Sequence, residues 1–378
     1  MYYEIIMMQR TGIADLRLCE GPVPMYKEMV KLAKPIIKFI LNEFGESEVI
    51  KRFSDPFWFQ CLACALGFEY NYTGATTVTI RAIKEAINNE NLPIKILGGK
   101  GKEAINIQKE IEKLSEIFNF KEKTIERLKE SSKLSAKVDN SLIQDSYDIY
   151  FHSIIINEKG EFSIINQGMN VREKMVRRYH WYSPTSFFDN PHSGITISNK
   201  IVLNLADKKS KETRKAILDL VKDYPLERLR LKILNLSKVI NSTNQKRLID
   251  YLGIEKEIVQ LPYYLKFPRK INEKALKIAK EAENFKEFLI IKGIGPSTIR
   301  ALAFLSALIY GTELSWKDPQ IYCYAHGTKA GRPWFVEKKL MIENARILEE
   351  ILKDKDFENK RKVLIRLSKI VERYTKDI

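Results

Sequence analysis

Apolar residues recur at helical spacing over 23–44, where Met25, Met29, Leu32, Ile36, Ile37 and Ile40 share one stripe, and the pattern predicts a helix that buries it. Short helices are expected over 45–66 around the break at Asp55-Pro56, and another over 76–89. A short apolar run, Leu92 to Leu97, leads into GGKGK (Gly98 to Lys102), and a long amphipathic helix follows from Glu103 to Ser131. Strand, basic glycine-rich turn and helix in that order suit a phosphate held on free backbone N–H groups through Lys100 and Lys102, or an ordinary turn. The spacing is not that of a nucleotide P-loop.

At Val138 the period changes to two. DIYFHSIII and EFSIIN, rich in β-branched and aromatic residues, flank NEKG with Gly160 at its end and predict a β-hairpin. Residues 168–205 read as loop-rich, with NPHSGITIS and KIVLNLAD supplying one or two more strands. Helices are expected from Lys208 to about Leu252. LPYYLKFPRK reads as a proline-bearing linker, and Trp334 to Ile378 again as amphipathic helix.

FKEFLIIKGIGPSTIRALAFL, Phe285 to Leu305, is the most specific short motif. An apolar helix meets a tight turn at Gly293, Ile294 and Gly295, and Ser297 and Thr298 open a second helix whose Ala301 permits close packing. Such a helix-hairpin-helix presents N–H groups and a helix N-terminus to a DNA phosphate, with Lys292 adding charge. The fold class is α+β and helix-rich, in four regions. These are a mostly helical 1–131, a small β-containing catalytic unit at 132–205, a basic helical region and linker at 206–270, and a helix-hairpin-helix domain at 271–378.

The 378 residues carry 64 Lys and Arg against 48 Asp and Glu, a net +16, which favours an anionic partner such as DNA. KKSKETRK, ERLRLK and Arg172, Arg177 and Arg178 concentrate that charge in the middle of the chain. The longest apolar run, Ala301 to Tyr310, falls far short of the roughly 20 residues of a membrane helix. An N-terminus without a secretory signal and only four cysteines point to the cytoplasm. Cys61 and Cys64 form a lone C-x-x-C, expected to be buried structural thiols, since neither Cys19 nor Cys323 supplies a second pair.

Three of the four histidines, His152, His180 and His192, lie within one segment among Asp139, Asp145, Asp148, Gln167, Arg177, Arg178 and Asp189. By strand alternation Asp148, Tyr150 and His152 share a face, and Gln167 at the end of the partner strand faces the same pocket. Carboxylates and imidazoles with open water positions suit Mn²⁺ or Mg²⁺, which activates water for phosphodiester attack. The expected ligands are Asp139, Asp145, Asp148 and His152. His180 or His192 handles a proton or completes the coordination, and Arg177 and Arg178 grip the scissile phosphate. The function expected is a divalent-metal-dependent endonuclease acting on single-stranded or branched DNA without strong sequence preference. Base excision through Asp318, which lies downstream of the hairpin beside Pro319, and DNA binding without catalysis are the alternatives. Asp318 is equally suited to capping a helix.

RTGIADL, SDPFWFQ, GGKGK, KVDN with QDSYDIYFH, NQGMN, RRYHW, PHSGI, GIGPSTIRALA and DP with YAHG resemble an archaeal and bacterial family catalogued as domain of unknown function 763. The similarity runs from Arg10 to about Val336 and implies a helix-hairpin-helix joined to an N-terminal region of the family's own, with a place in DNA repair. Against the family pattern this chain has Cys19 in place of histidine and Ala330 in place of aspartate, in the loop that holds His326 and Lys329. Lys329 remains an expected DNA contact, and the catalytic expectation rests on 139–192.

Overall fold

The computed structural model describes residues 16–17, 23, 25–67, 73–184, 186–196, 201–240 and 261–319, with five helical positions between 342 and 349. The architecture is α+β and helix-rich. The N-terminal part has β1 (Leu16–Arg17), α1 (Tyr26–Phe44), α2 (Glu46–Phe53), α3 (Pro56–Ala65) and α4 (Gly74–Ile87), then β2 (Ile94–Lys100). Next come α5 (Lys102–Phe118), α6 (Glu122–Lys137) and a π-helical turn over Val138–Leu142. The strands that follow are β3 (Ile143–Gln144), β4 (Asp148–Asn157), β5 (Phe162–Asn170), β6 (Met175–Tyr182), β7 (Gly194–Ile195) and β8 (Leu203–Asn204). The remaining helices are α7 (Lys211–Asp223), α8 (Leu226–Ile240), α9 (Glu273–Ala279), α10 (Phe285–Ile290) and α11 (Pro296–Tyr310).

The main sheet is antiparallel in the order β1-β6-β5-β4-β2, with β7 on the other part of β6, and β3 pairs separately with β8. Helices cover both faces because β4 and β5 are apolar on both sides. Ile154, Ile156, Phe162 and Ile164 join a core with α5 to α8, α10 and α11, whereas Phe151, Ile155 and Ile165 join the core of α1 to α4. Each fully buried Ile or Phe contributes roughly 1.5–3 kcal/mol.

Four differences from the sequence reading have physical causes. The expected single helix over 103–131 is α5 and α6, split where Asn119 takes a left-handed φ of 52° and caps α5, a conformation Asn tolerates. Residues 168–205 are less loop-like than expected: β6 is a full strand whose charged residues are buried. In GGKGK only Gly101 turns, since Gly98 to Lys100 extend β2. A Cβ on Gly98, at φ +79°, would meet the His152 carbonyl oxygen, so glycine lets β2 close on β4. The Gly98 N–H donates to Glu110 at 3.0 Å, and Lys84 donates to the Gly98 carbonyl at 2.7 Å, so the Gly98 part of the run is bonded within the protein. Finally, the segment read as a linker is anchored: Leu265 and Phe267 are buried in the core, and Phe267 meets Phe304 edge-on with ring centroids 5.1 Å apart.

Candidate functional site

Strand β6 sends Arg177, Tyr179 and Trp181 to one face of the sheet and Arg178 and His180 to the other. On the first face, the π-helical turn places Asp139 under the sheet with no exposure. Its Oδ2 accepts from Asn166 Nδ2 at 2.7 Å and Trp181 Nε1 at 3.0 Å, and its Oδ1 from His192 Nε2 at 2.5 Å. A carboxylate accepts only, so Asn166 must turn its NH₂ to Asp139 and its Oδ1 to His152 Nδ1, 2.5 Å away. That leaves His152 Nε2 to accept from the Ser132 hydroxyl at 2.7 Å. One hydrogen-bonded line thus runs from Ser132 through His152, Asn166 and Asp139 to His192, with each tautomer set by its neighbour.

His192 is at the far end of this line, its side chain 1% exposed and its ring 4.1 Å from the Trp181 ring. It lines a cavity of about 160 Å³ together with Asn190, Asp207, Lys317 and Asp318. Because Nε2 donates to Asp139, Nδ1 is the ring nitrogen left to accept a proton. Chemically this is an oriented base on the wall of a small cavity of mixed polar and apolar lining.

Beside it, Arg177 donates to Asp145 at 2.7 Å, to the Thr196 carbonyl at 2.9 Å and to Asp318. Tyr179 also donates to Asp145, at 2.7 Å. Burial alone would lower the Arg177 pKa, but Asp145 and Asp318 outweigh it and push it up, so the guanidinium stays charged. Asp318 Oδ2 is buried and accepts no hydrogen bond among the described residues.

The opposite face corrects several expectations. Arg178 donates to the Pro56 carbonyl at 3.3 Å and Gln60 Oε1 at 3.2 Å, with Phe59 beneath it at 4.7 Å. His180 bonds the Phe53 carbonyl at 2.9 Å. Both therefore clamp the α2–α3 corner to the sheet and are turned away from His192. A β-bulge between Ile149 and Phe151 breaks the alternation assumed for β4, so Tyr150 and His152 face opposite ways. Gln167 donates to the Tyr150 hydroxyl at 2.5 Å and so leaves the His152 side as well. Asp148 is exposed at the start of β4. The expected ion ligands Asp139, Asp145, Asp148 and His152 are thus not gathered: two are committed to N–H and O–H donors, one is at the surface, and one is bonded on both ring nitrogens. Among the described residues no group of three or more His, Cys, Asp or Glu is placed to hold a metal ion.

Lys100, Lys102 and Lys292 are exposed, and Gly293 and Gly295 form the turn between α10 and α11, with Ser297 and Thr298 in the first turn of α11. Gly293 sits so close to Asn272 and Ala275 that a Cβ would clash, and Lys137 donates to the Ile294 carbonyl at 3.1 Å. Cys61 is exposed and Cys64 half-buried, so the thiols are not the buried pair expected. Cys19, Cys323, His326 and Lys329 lie outside the described residues. Asn166, Ser132 and Lys317 were not singled out from sequence. The signal for Asn166 was the hairpin itself, because closing the chain at Gly160 sets Asn166 directly opposite His152.

Burial lowers the pKa of His152 and, by more, that of His180. Both folded values lie below the unfolded one of about 6.5, so their contribution to stability is complete above that pH and is lost as pH falls towards the folded values. Unfolding free energy by urea titration should be flat from pH 8 to 7 and then fall by up to about 1.4 kcal/mol per pH unit for each histidine. The His152→Asn/His180→Asn double variant should lose that slope; an unchanged slope would contradict it.

Residues 12–336 match the family model described as a protein of unknown function, DUF763. The chain belongs to this family. The matched span holds the whole line from Ser132 to His192, the cavity and the Gly293 turn. No curated protein and no solved structure matches the chain. Among the described residues no helix is long and apolar enough to cross a membrane.

Proposed function

We propose that the protein is a DNA-processing hydrolase that cuts phosphodiester bonds in single-stranded or branched DNA, with His192 as the proton-handling group. The observation that carries this reading is the 2.5 Å bond between buried Asp139 and His192 Nε2, with His192 on the cavity wall. Asp139 fixes the tautomer and stabilises the imidazolium once His192 Nδ1 takes a proton from attacking water. The new P–O bond displaces the ester oxygen, which takes a proton from solvent. Lys317 brings positive charge to the same cavity, while the Asp207 carboxylate is occupied by the Lys209 N–H at 2.8 Å and the Ser315 hydroxyl at 3.0 Å. The net +16 and the Gly293 turn, read as a helix-hairpin-helix, supply backbone affinity without base readout.

Base excision is the second reading, favoured by the unbonded Asp318 Oδ2 at the same cavity. One experiment separates them: the full chain is incubated with single-stranded, duplex, flap and bubble DNA, each with Mn²⁺, Mg²⁺ or EDTA. The nuclease reading expects cleavage that drops about 100-fold or more in His192→Ala. Cleavage of nothing, or equal cleavage by the variant, overturns it. Abasic sites formed in EDTA on duplexes carrying damaged bases, and lost in Asp318→Asn, would establish excision instead, and a mobility shift without products would leave a binding protein.

A further inference from the structure

The anchored segment 261–270, LPYYLKFPRK, has a built-in division of labour. Leu265 and Phe267 point into the core and Pro268 is buried, while Lys266, Arg269 and Lys270 are exposed. Three fixed points hold it. Tyr264 donates to the Ile201 carbonyl, Arg300 of α11 donates to the Lys266 carbonyl, and Asn272, just beyond Lys270, caps α9 at 3.1 Å and touches Gly293. At its other end Tyr263 bonds Asn170 and carries the Arg172 guanidinium 4.2 Å above its ring. A rigid backbone therefore displays cations from the β5–β6 turn, at Arg172, to the hairpin turn, at Lys292.

None of Lys266, Arg269 and Lys270 forms an ion pair among the described residues. The acidic residues next to the segment are occupied, Glu173 by Tyr263 at 3.1 Å and Glu273 by Arg230 at 3.3 Å. Unpaired cations carried close together on one held backbone repel one another in the free protein, and a polyanion relieves that repulsion. Because their carrier is already fixed, little ordering entropy is lost on contact.

We infer that this strap is a second DNA-backbone contact, in which Lys266, Arg269 and Lys270 hold phosphates of the strand that leaves the hairpin turn. The inference rests on the DNA reading above, but not on cleavage. It is tested by fluorescence anisotropy of the full chain with a labelled DNA duplex across a salt series. The Lys266→Gln/Arg269→Gln/Lys270→Gln variant should bind about tenfold or more weakly near 0.1 M salt. Its slope of log Kd against log salt should be shallower by roughly 2–3, at about 0.9 per phosphate contact. Lys113, Lys121 and Lys123 lie on α5 and around the start of α6, the end of that helix away from Lys137 and the hairpin. The matching Gln triple there removes the same charge and should leave the slope within about one of the parent. Equal slopes in the strap variant and the parent, with Lys292→Gln still weakening binding, would overturn the strap alone. Equal losses in both triples would reduce the effect to net charge and also overturn it. A parent chain that binds no DNA at all would overturn the DNA reading and the strap together.

Discussion

Replacing Arg177 by methionine is expected to destabilise the protein by about 3–5 kcal/mol, the cost of removing one partner from a buried ion pair. The arginine is wholly buried and holds two carboxylates, Asp145 with no exposure and Asp318 with 15%. Without it Asp145 keeps only the Tyr179 hydroxyl and the Tyr147 N–H, the latter at 3.1 Å. The Thr196 carbonyl also loses its donor. Burial already holds the Asp145 pKa above the ordinary carboxylate range although Arg177 opposes it, and removal of the cation raises it further, so the deficit should grow as pH rises and shrink as pH falls through these raised values. Adding Asp145→Asn should recover part of the loss, since a neutral amide no longer needs the charge. Urea unfolding of both single variants and the double checks this through the coupling energy. A loss below about 1 kcal/mol, or strict additivity, would show that the three groups do not act as a unit.

The second large effect is at Asp139. Asp139→Asn replaces an acceptor-only group facing three donors, and its NH₂ necessarily confronts one of them, so a stability loss of about 1–3 kcal/mol is expected. The effect on cleavage should be larger, roughly 10²–10⁴-fold, because an amide neither fixes the His192 tautomer nor stabilises the imidazolium. DNA binding should be unchanged, since Asp139 is fully buried. Anisotropy and cleavage measured on the same folded preparation separate the two.

The strong periodic signals in the sequence are those the fold follows. The hairpin of β4 and β5 around Gly160, the α1 stripe and the helices flanking Gly293 all appear where spacing placed them. Strand β6 was illegible because Arg177, Arg178 and His180 fall on both of its faces and mimic a polar loop. Their side chains bond to partners 19 to 141 residues away, Thr196 and Asp318 among them, which no local pattern encodes. The candidate site shows the same division. Asp139, His152 and His192 were named from their density and do share one network, but His180 and Gln167 share it only on the assumption of a single face. Pleating alone puts His180 opposite Tyr179, and a bulge at Tyr150 reverses the face of Gln167's partner. Asn166, the residue that joins two of the expected groups, is an uncharged amide that gains meaning only from its register.

If Asp139 and His192 act as one catalytic unit, single-turnover cleavage by Asp139→Asn, His192→Ala and their double variant will show it. Groups that act together are non-additive, so the double should be no slower than the slower single. Losses that multiply, or a His192→Ala protein that cuts at the parent rate, would show that the two residues do not form such a unit.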